Sequence, residues 1–331
     1  MRPKAQSVVA LGGGHGLAAT LSALRHLKDD LTIDELTAVV TVADNGGSSG
    51  RLRGEFGVLP PGDLRMALAA LCGDDEWGQT WAEVVQHRFA GQGEMRGHVV
   101  GNLLIVSMWE IMGDHVRALD WVGRLLGAQG RVLPMATTPI DITAEVSGLG
   151  DGSRSGPEDG LTTVRGQVEV ATTEGRIESV ALEPRDPEAC AEAVAAILEA
   201  DWVFLGPGSW FTSVIPHLMV PGLRAALAQT KARIVVVLNL AAQAGETSGF
   251  SDVDHLDALF EHAPDLPAHT VVADPSALDE GDELAKAVAG RGCDLLVADV
   301  AVPGEPRHDP VRLADVFRDL LDEYARPGHG R

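Results

Sequence analysis

Six short segments hold most of the residues able to do chemistry. The first is Gly12-Gly13-Gly14-His15-Gly16. Glycines there let backbone N–H groups approach a phosphate, and a helix starting at that point turns its positive end toward the anion. The spacing is an incomplete dinucleotide fingerprint. Read from Gly14 it gives Gly14-x-Gly16-x-x-Ala19, the loose form ending in alanine. It is not a P-loop, because no Gly-Lys-Ser/Thr follows. Taken alone, it is equally an ordinary glycine-rich turn between a strand and a helix.

The second segment is Asp44-Asn45-Gly46-Gly47-Ser48-Ser49-Gly50-Arg51. Asp44 can accept from a ribose hydroxyl or help to hold a metal. Ser48 and Ser49 can donate to phosphate, and Arg51 and Arg53 can supply positive charge in the fork geometry that suits phosphate. A flexible surface loop explains the glycines and serines but not two arginines in an acidic chain. In Pro60-Pro61-Gly62-Asp63-Leu64-Arg65, Asp63 caps a helix and, with Arg65, can face the glycine loop. Gly97-His98-x-x-Gly101-Asn102 puts His98 and Asn102 on one helix face, where Asn102 can both donate and accept. Gly206-Pro207-Gly208-Ser209-Trp210-Phe211-Thr212-Ser213 is a second turn of the glycine-loop kind, read as a second anion or sugar site. Asn239, followed by Gln243-Ala244-Gly245-Glu246-Thr247, ends a strong apolar run and can specify a sugar, or simply start an ordinary loop. Gly-x-Ser-x-Gly and His-Glu-x-x-His are both absent, so acyl transfer and zinc hydrolysis find no support.

These segments need elements to hold them. Ser7–Leu11 reads as a buried parallel strand. Leu17, Leu21, Leu24 and Leu27 recur at helical spacing, and Leu36–Val42 is a second strand, completing a right-handed βαβ unit. Ala43–Asp63 offers no core and reads as a loop or lid. Helices are expected from Asp63 to Leu71, Glu76 to Ala90, Val99 to Ile111 and His115 to Leu126. From Arg131 the pattern turns β-rich, with runs Val132–Val146, Thr163–Ala171 and Ile177–Leu182 and a polar surface loop from Ser147 to Gly160. Alternation of strands and helices resumes from Cys190. The fold class is therefore α/β, a doubly wound, mostly parallel Rossmann-like sheet with a small β-rich insertion. Residues 1–130 form a nucleotide-binding half, 131–185 the insertion, and 186–331 a second half completing the same sheet.

The 331 residues suffice for a substantial core, and a formal charge of −22 repels nucleic acid and anionic membrane surfaces over most of the molecule. Three separated cysteines without a CxxC fit a reducing cytoplasm rather than a disulfide or zinc framework. No stretch reaches the roughly 20 apolar residues of a membrane span. The expectation is a cytoplasmic protein with no nucleic-acid partner and no membrane insertion.

Together the stretches VVALGGGHGL, VTVADNGGSSGRLR, GVLPPGDLR, GHVVGNLL, LGPGSWFTSVIP and NLAAQAGET resemble the gluconeogenesis factor (YvcK-like) family, of the 2-phospholactate transferase-like superfamily. The resemblance implies a Rossmann-type sheet, UDP-N-acetylglucosamine as ligand, and influence over carbon flow into cell-wall precursors. It places the nucleotide and pyrophosphate against Gly13, Gly14, Asp44, Ser48, Ser49 and Asn102, with the Gly206–Ser213 turn near the same ligand. Three positions depart from the family pattern. His15 replaces a small hydroxyl residue, Asn45 a common acidic one, and Met66 a polar one.

Three functions compete. A non-catalytic nucleotide-sugar sensor needs no cofactor and acts through a partner, a cell-wall precursor enzyme. A transferase would use Asp44 and Asp63 with magnesium and Arg51 and Arg65 near phosphate. A nicotinamide-dependent oxidoreductase fits least, for want of a full fingerprint and of an acid for hydride transfer. Homo-oligomerisation is compatible with all three.

Overall fold

The computed structural model describes residues 6–30, 32–149, 161–243, 245–278 and 282–325. Strand β1 (Ser7–Gly12) leads through Gly13 into α1 (Gly14–Asp29), and β2 (Glu35–Val40) follows. Leu17, Leu21, Leu24 and Leu27 are all essentially fully buried, so the predicted stripe is the face α1 lays on the sheet. Burying each such leucine is worth about 1.5–3 kcal/mol. Next come α2 (Gly47–Phe56), α3 (Gly62–Ala70), α4 (Glu76–Gln86), α5 (Val100–Met112) and α6 (His115–Leu126), then β3 (Arg131–Pro134).

The segment expected to be a loop or lid, Ala43–Asp63, thus contains a ten-residue helix. Helix α2 buries only Ser48, Ser49 and Leu52, so it has no apolar periodicity to announce it. It ends at Gly57, whose φ of 66° is the left-handed conformation that glycine adopts without strain. Asp63 does not cap α3. Pro61 occupies the N-cap, and Asp63 lies inside the first turn with its carboxylate buried.

The β-rich region also resolves differently. The run Val132–Val146 is two strands in two sheets. β3 joins the parallel sheet beside β2, whereas β4 (Asp141–Ser147) lies between β5 (Leu161–Arg165) and β6 (Arg176–Glu183) in a separate antiparallel sheet. The run Thr163–Ala171 is half strand and half helix, with α7 (Gln167–Ala171) starting after Gly166. The polar loop expected at Ser147–Gly160 falls mostly outside the described residues.

The chain then returns to the main sheet through α8 (Ala191–Glu199) and β7 (Trp202–Leu205). A five-residue π-helical turn, Trp210–Val214, runs into α9 (Ile215–Met219). After it come α10 (Pro221–Gln229), β8 (Arg233–Val237), α11 (Asp252–His262), β9 (Ala268–Ala273), α12 (Glu283–Gly290), β10 (Asp294–Val297) and α13 (Pro310–Ala325). The seven strands are ordered β10-β9-β8-β7-β1-β2-β3, every pairing parallel. This is the doubly wound α/β fold, and the winding reverses between β1 and β7. Ligands of such sheets bind outside the strands' carboxyl ends at that reversal. The turn after β1 is Gly13–Gly16 and the turn after β7 is Gly206–Ser209, so chain topology brings together two glycine segments almost 200 residues apart. No single helix among the described residues is long and apolar enough to cross a membrane.

Candidate functional site

The two turns touch. A Cβ built on Gly16 would collide with the carbonyl of Pro207, so this glycine is demanded by the approach of one backbone to another. A Cβ on Gly13 would overlap the Thr41 methyl and lie 3.0 Å from Asp63 Oδ2 and 3.3 Å from Ser213 Oγ. Gly14 differs: its φ is +57°, and a Cβ there would meet nothing within 4 Å. Its open side faces away from the packed turn, and His15 beside it is exposed.

Around this turn sit buried polar groups from four elements. Asp63 is 8% exposed, and the Gly14 N–H donates to its carboxylate. Its Oδ2 has no hydrogen-bond partner. Burial, reinforced by the Asp44 carboxylate, pushes the Asp63 carboxyl up to about 7, against the opposing pull of that N–H and of Arg65. Asp44 Oδ1 accepts from the Gly46 N–H at 2.8 Å and so shapes the start of α2. The missing side chain of Gly62 leaves room for Asp44 Oδ2 and Ser49 Oγ. Asn102, 2% exposed, donates to Ser49 Oγ at 3.4 Å while its own Oδ1 is unpartnered. Ser48 Oγ accepts from the Val99 N–H and shares a hydrogen bond with His98 Nδ1, both at 3.3 Å. Burial and the Arg51 charge hold the His98 imidazole below its usual range. Arg65 donates to Gln86 Oε1 at 2.6 Å and leaves Nε free; burial and the like charge of Arg88 lower its pKa. Thr41 Oγ1 is a fourth buried atom without a partner.

The structure gives several sequence-selected residues other duties. Arg51 is exposed and donates to the carbonyls of Glu94 and Arg96, tying α2 to the loop between α4 and α5. Arg53 binds Asp141 and the carbonyl of Ile140. Asn45 reaches the insertion: its amide donates to Glu169 at 2.8 Å and accepts from the Val168 N–H at 3.0 Å, at the start of α7. Asn239 pairs twice with Gly208, accepting its N–H at 3.0 Å and donating to its carbonyl at 2.9 Å, and so fixes the second turn. Gly206 and Gly208 both have positive φ in that turn.

One residue important to this arrangement stood in the sequence only as one of the polar groups after Asn239 that can specify a sugar, and the structure gives it another duty. Glu246 is 2% exposed and accepts from the Thr212 N–H at 2.7 Å, and from the Phe211 N–H and the hydroxyls of Ser209 and Thr212. Burial pushes its carboxyl up to about 7 against these hydrogen bonds. The N–H groups of Phe211 and Thr212, near the start of the π-helical turn, are therefore taken by an internal carboxylate. What the turn offers the site is Ser213, held against Gly13. The signal was present as an acid in Gly245-Glu246-Thr247, but nothing in the spacing says which turn it serves.

The assembled site has donors in the Arg65 guanidinium and Asn102 amide, and acceptors in Asp44, Asp63 and the Asn102 carbonyl. It can receive a ligand that is itself both anionic and rich in hydroxyl or N–H groups. Among the described residues no group of three or more His, Cys, Asp or Glu side chains is arranged to hold a metal; Asp44 and Asp63 are a pair.

Comparison with known proteins bears on the family and the fold. The family model of the 2-phospho-L-lactate transferase CofD matches residues 8–297. A protein of Mycobacterium tuberculosis strain H37Rv, named "Putative gluconeogenesis factor", is 52% identical over 313 residues, covering 94% of this chain and 89% of its own. The "Gluconeogenesis factor" of Halalkalibacterium halodurans is 39% identical over 259 residues, 78% of this chain and 74% of that one. The crystal structure of a UPF0052 family member from Bacillus halodurans superposes with a TM-score of 0.82 at 32% identity, covering 95% of this chain and 99% of that one. With its sheet order, its paired turns and these relatives, the chain belongs to the CofD family and has the gluconeogenesis factors among its members as near relatives.

Proposed function

We propose that this protein is a cytoplasmic, non-catalytic nucleotide-sugar-binding regulator, with UDP-N-acetylglucosamine as its ligand. Through a cell-wall precursor enzyme as partner it links carbon metabolism to envelope synthesis and cell shape. The observation that carries the reading is the ring of buried, unpartnered polar atoms around the glycine turn: Thr41 Oγ1, Asp63 Oδ2, Asn102 Oδ1 and Arg65 Nε. A buried polar atom left unsatisfied costs about 1–3 kcal/mol. Four of them at one topological switch point favour a ligand that supplies both donors and acceptors. A nucleotide sugar does so, with hydroxyls and amide N–H for the acceptors and phosphate oxygens for the donors. The choice of UDP-N-acetylglucosamine rests on the family resemblance.

Calorimetric titration and phosphorus NMR with UDP-N-acetylglucosamine, with and without magnesium, test this. Saturable binding without turnover is expected. Gly14→Val is expected to abolish binding, because its side chain enters space the protein leaves empty; the φ of +57° also strains any side chain there, so circular dichroism and the melting temperature of the same variant separate lost binding from lost fold. Wild-type affinity in that variant would remove the glycine turn from the site. A second reading, a metal-dependent transferase, has the Asp44–Asp63 carboxylate pair and Arg65 in its favour. Magnesium-dependent product formation lost in Asp44→Ala would establish it over the regulator.

A further inference from the structure

Besides the site at the switch point, the molecule has a cleft of about 540 Å³ between strand β6 of the insertion and helix α11. Its floor includes the rings of Phe211 and Phe250, which meet edge-to-face with centroids 5.8 Å apart. Its rim is acidic. Glu174 and Glu178 stand on the insertion side, and Asp254, Asp257 and Glu261 on α11. Three of these have internal partners. Asp254 closes the capping box with Ser251, and Asp257 pairs with Arg291. Glu178 accepts from Ser147 Oγ and lies 3.9 Å from Arg176, the one arginine among the described rim residues. The cleft keeps a surplus of exposed carboxylates over an aromatic floor.

From this charge and shape we infer that the cleft is a docking groove for a cationic segment of a partner protein, one carrying Lys or Arg on either side of an aromatic or large aliphatic side chain. The apolar residue would lie against the half-buried ring of Phe250, which packs edge-to-face on the buried Phe211, and the cations would meet Glu174, Glu178 and Glu261. Carboxylates around a low-dielectric floor concentrate opposite charge and steer its approach. The groove also has a route to the ligand site. Phe211 belongs to the π-helical turn in which Thr212 is held by Glu246 and the next residue, Ser213, is set against Gly13. The opposite wall, the insertion, is tied to the Asp44 loop by Asn45. That a docked partner reads ligand occupancy rests on the regulator reading; the groove's preference for a cationic segment does not.

The test is fluorescence anisotropy with a labelled peptide in which lysines flank a central Leu-Phe pair, compared with an all-lysine peptide of equal charge at physiological salt. Wild-type protein is expected to bind the mixed peptide more tightly. The triple variant Glu174→Gln, Glu178→Gln, Glu261→Gln is expected to lose about tenfold in affinity, as removal of steering and rim charge predicts. Asp315→Asn, Asp319→Asn, Asp322→Asn removes the same charge from α13 and is expected to change affinity by less than about twofold, the effect of net charge alone. Equal losses in the two triples, or equal affinity for the two peptides, would overturn the inference. Calorimetry with UDP-N-acetylglucosamine on the same variants separates the two claims. Failure of wild type to bind the nucleotide sugar sinks the regulator reading and leaves the peptide result standing.

Discussion

Glu246 offers the sharpest quantitative prediction. Its carboxyl is pushed from 4.5 to about 7 by burial, although it accepts hydrogen bonds from the Phe211 and Thr212 backbone. The folded protein therefore holds a proton that the unfolded chain releases between pH 4.5 and 7. Stability falls as pH rises through that window and levels off above it. Each pKa unit is worth about 1.4 kcal/mol, so this one group makes the protein about 3 kcal/mol less stable at pH 8.5 than at pH 4.5. Glu246→Gln keeps an acceptor for the Thr212 N–H and removes the charge. In urea unfolding at the two pH values, the stability difference is expected to be about 3 kcal/mol smaller in the variant than in wild type. Subtracting one protein from the other cancels other groups, including Asp63. An unchanged difference would refute the assignment of a buried, protonatable carboxyl at this turn. Glu246→Ala leaves two backbone N–H groups without their acceptor, at about 1–3 kcal/mol each, and releases Ser213 from Gly13. Loss of stability at both pH values is its expected signature.

Two further predictions concern the first turn. Asp63→Asn removes a carboxyl raised from 3.8 to about 7, so the variant is expected to gain stability relative to wild type as pH rises across that interval, read as a denaturation midpoint at pH 5 and pH 8. Gly16→Ala forces a methyl against the Pro207 carbonyl and is expected to cost about 1–3 kcal/mol, seen as a lowered melting temperature; an unchanged value would mean that the two turns do not touch.

The glycine turn after β1 and the leucine stripe of α1 were legible from residue type and period alone. So were the strand at Trp202–Leu205 and the second glycine turn after it. Helix α2 was not, because it buries one leucine and two serines in a chain segment of low apolar content. The duties of Asn45, Arg51 and Asn239 were not either. A short polar side chain beside a glycine loop looks the same whether it faces a ligand or a neighbouring backbone.

By itself the sequence determined the βαβ alternation, the paired glycine turns and the acidic surface, since these follow from local composition and periodicity. The tertiary structure decided which polar groups share one space. Strand order placed β7 against β1, bringing Ser213 to Gly13 and Pro207 to Gly16. Burial then raised Asp63 and Glu246, two carboxylates that in sequence look like any others, because only the folded core removes the water that would keep them charged.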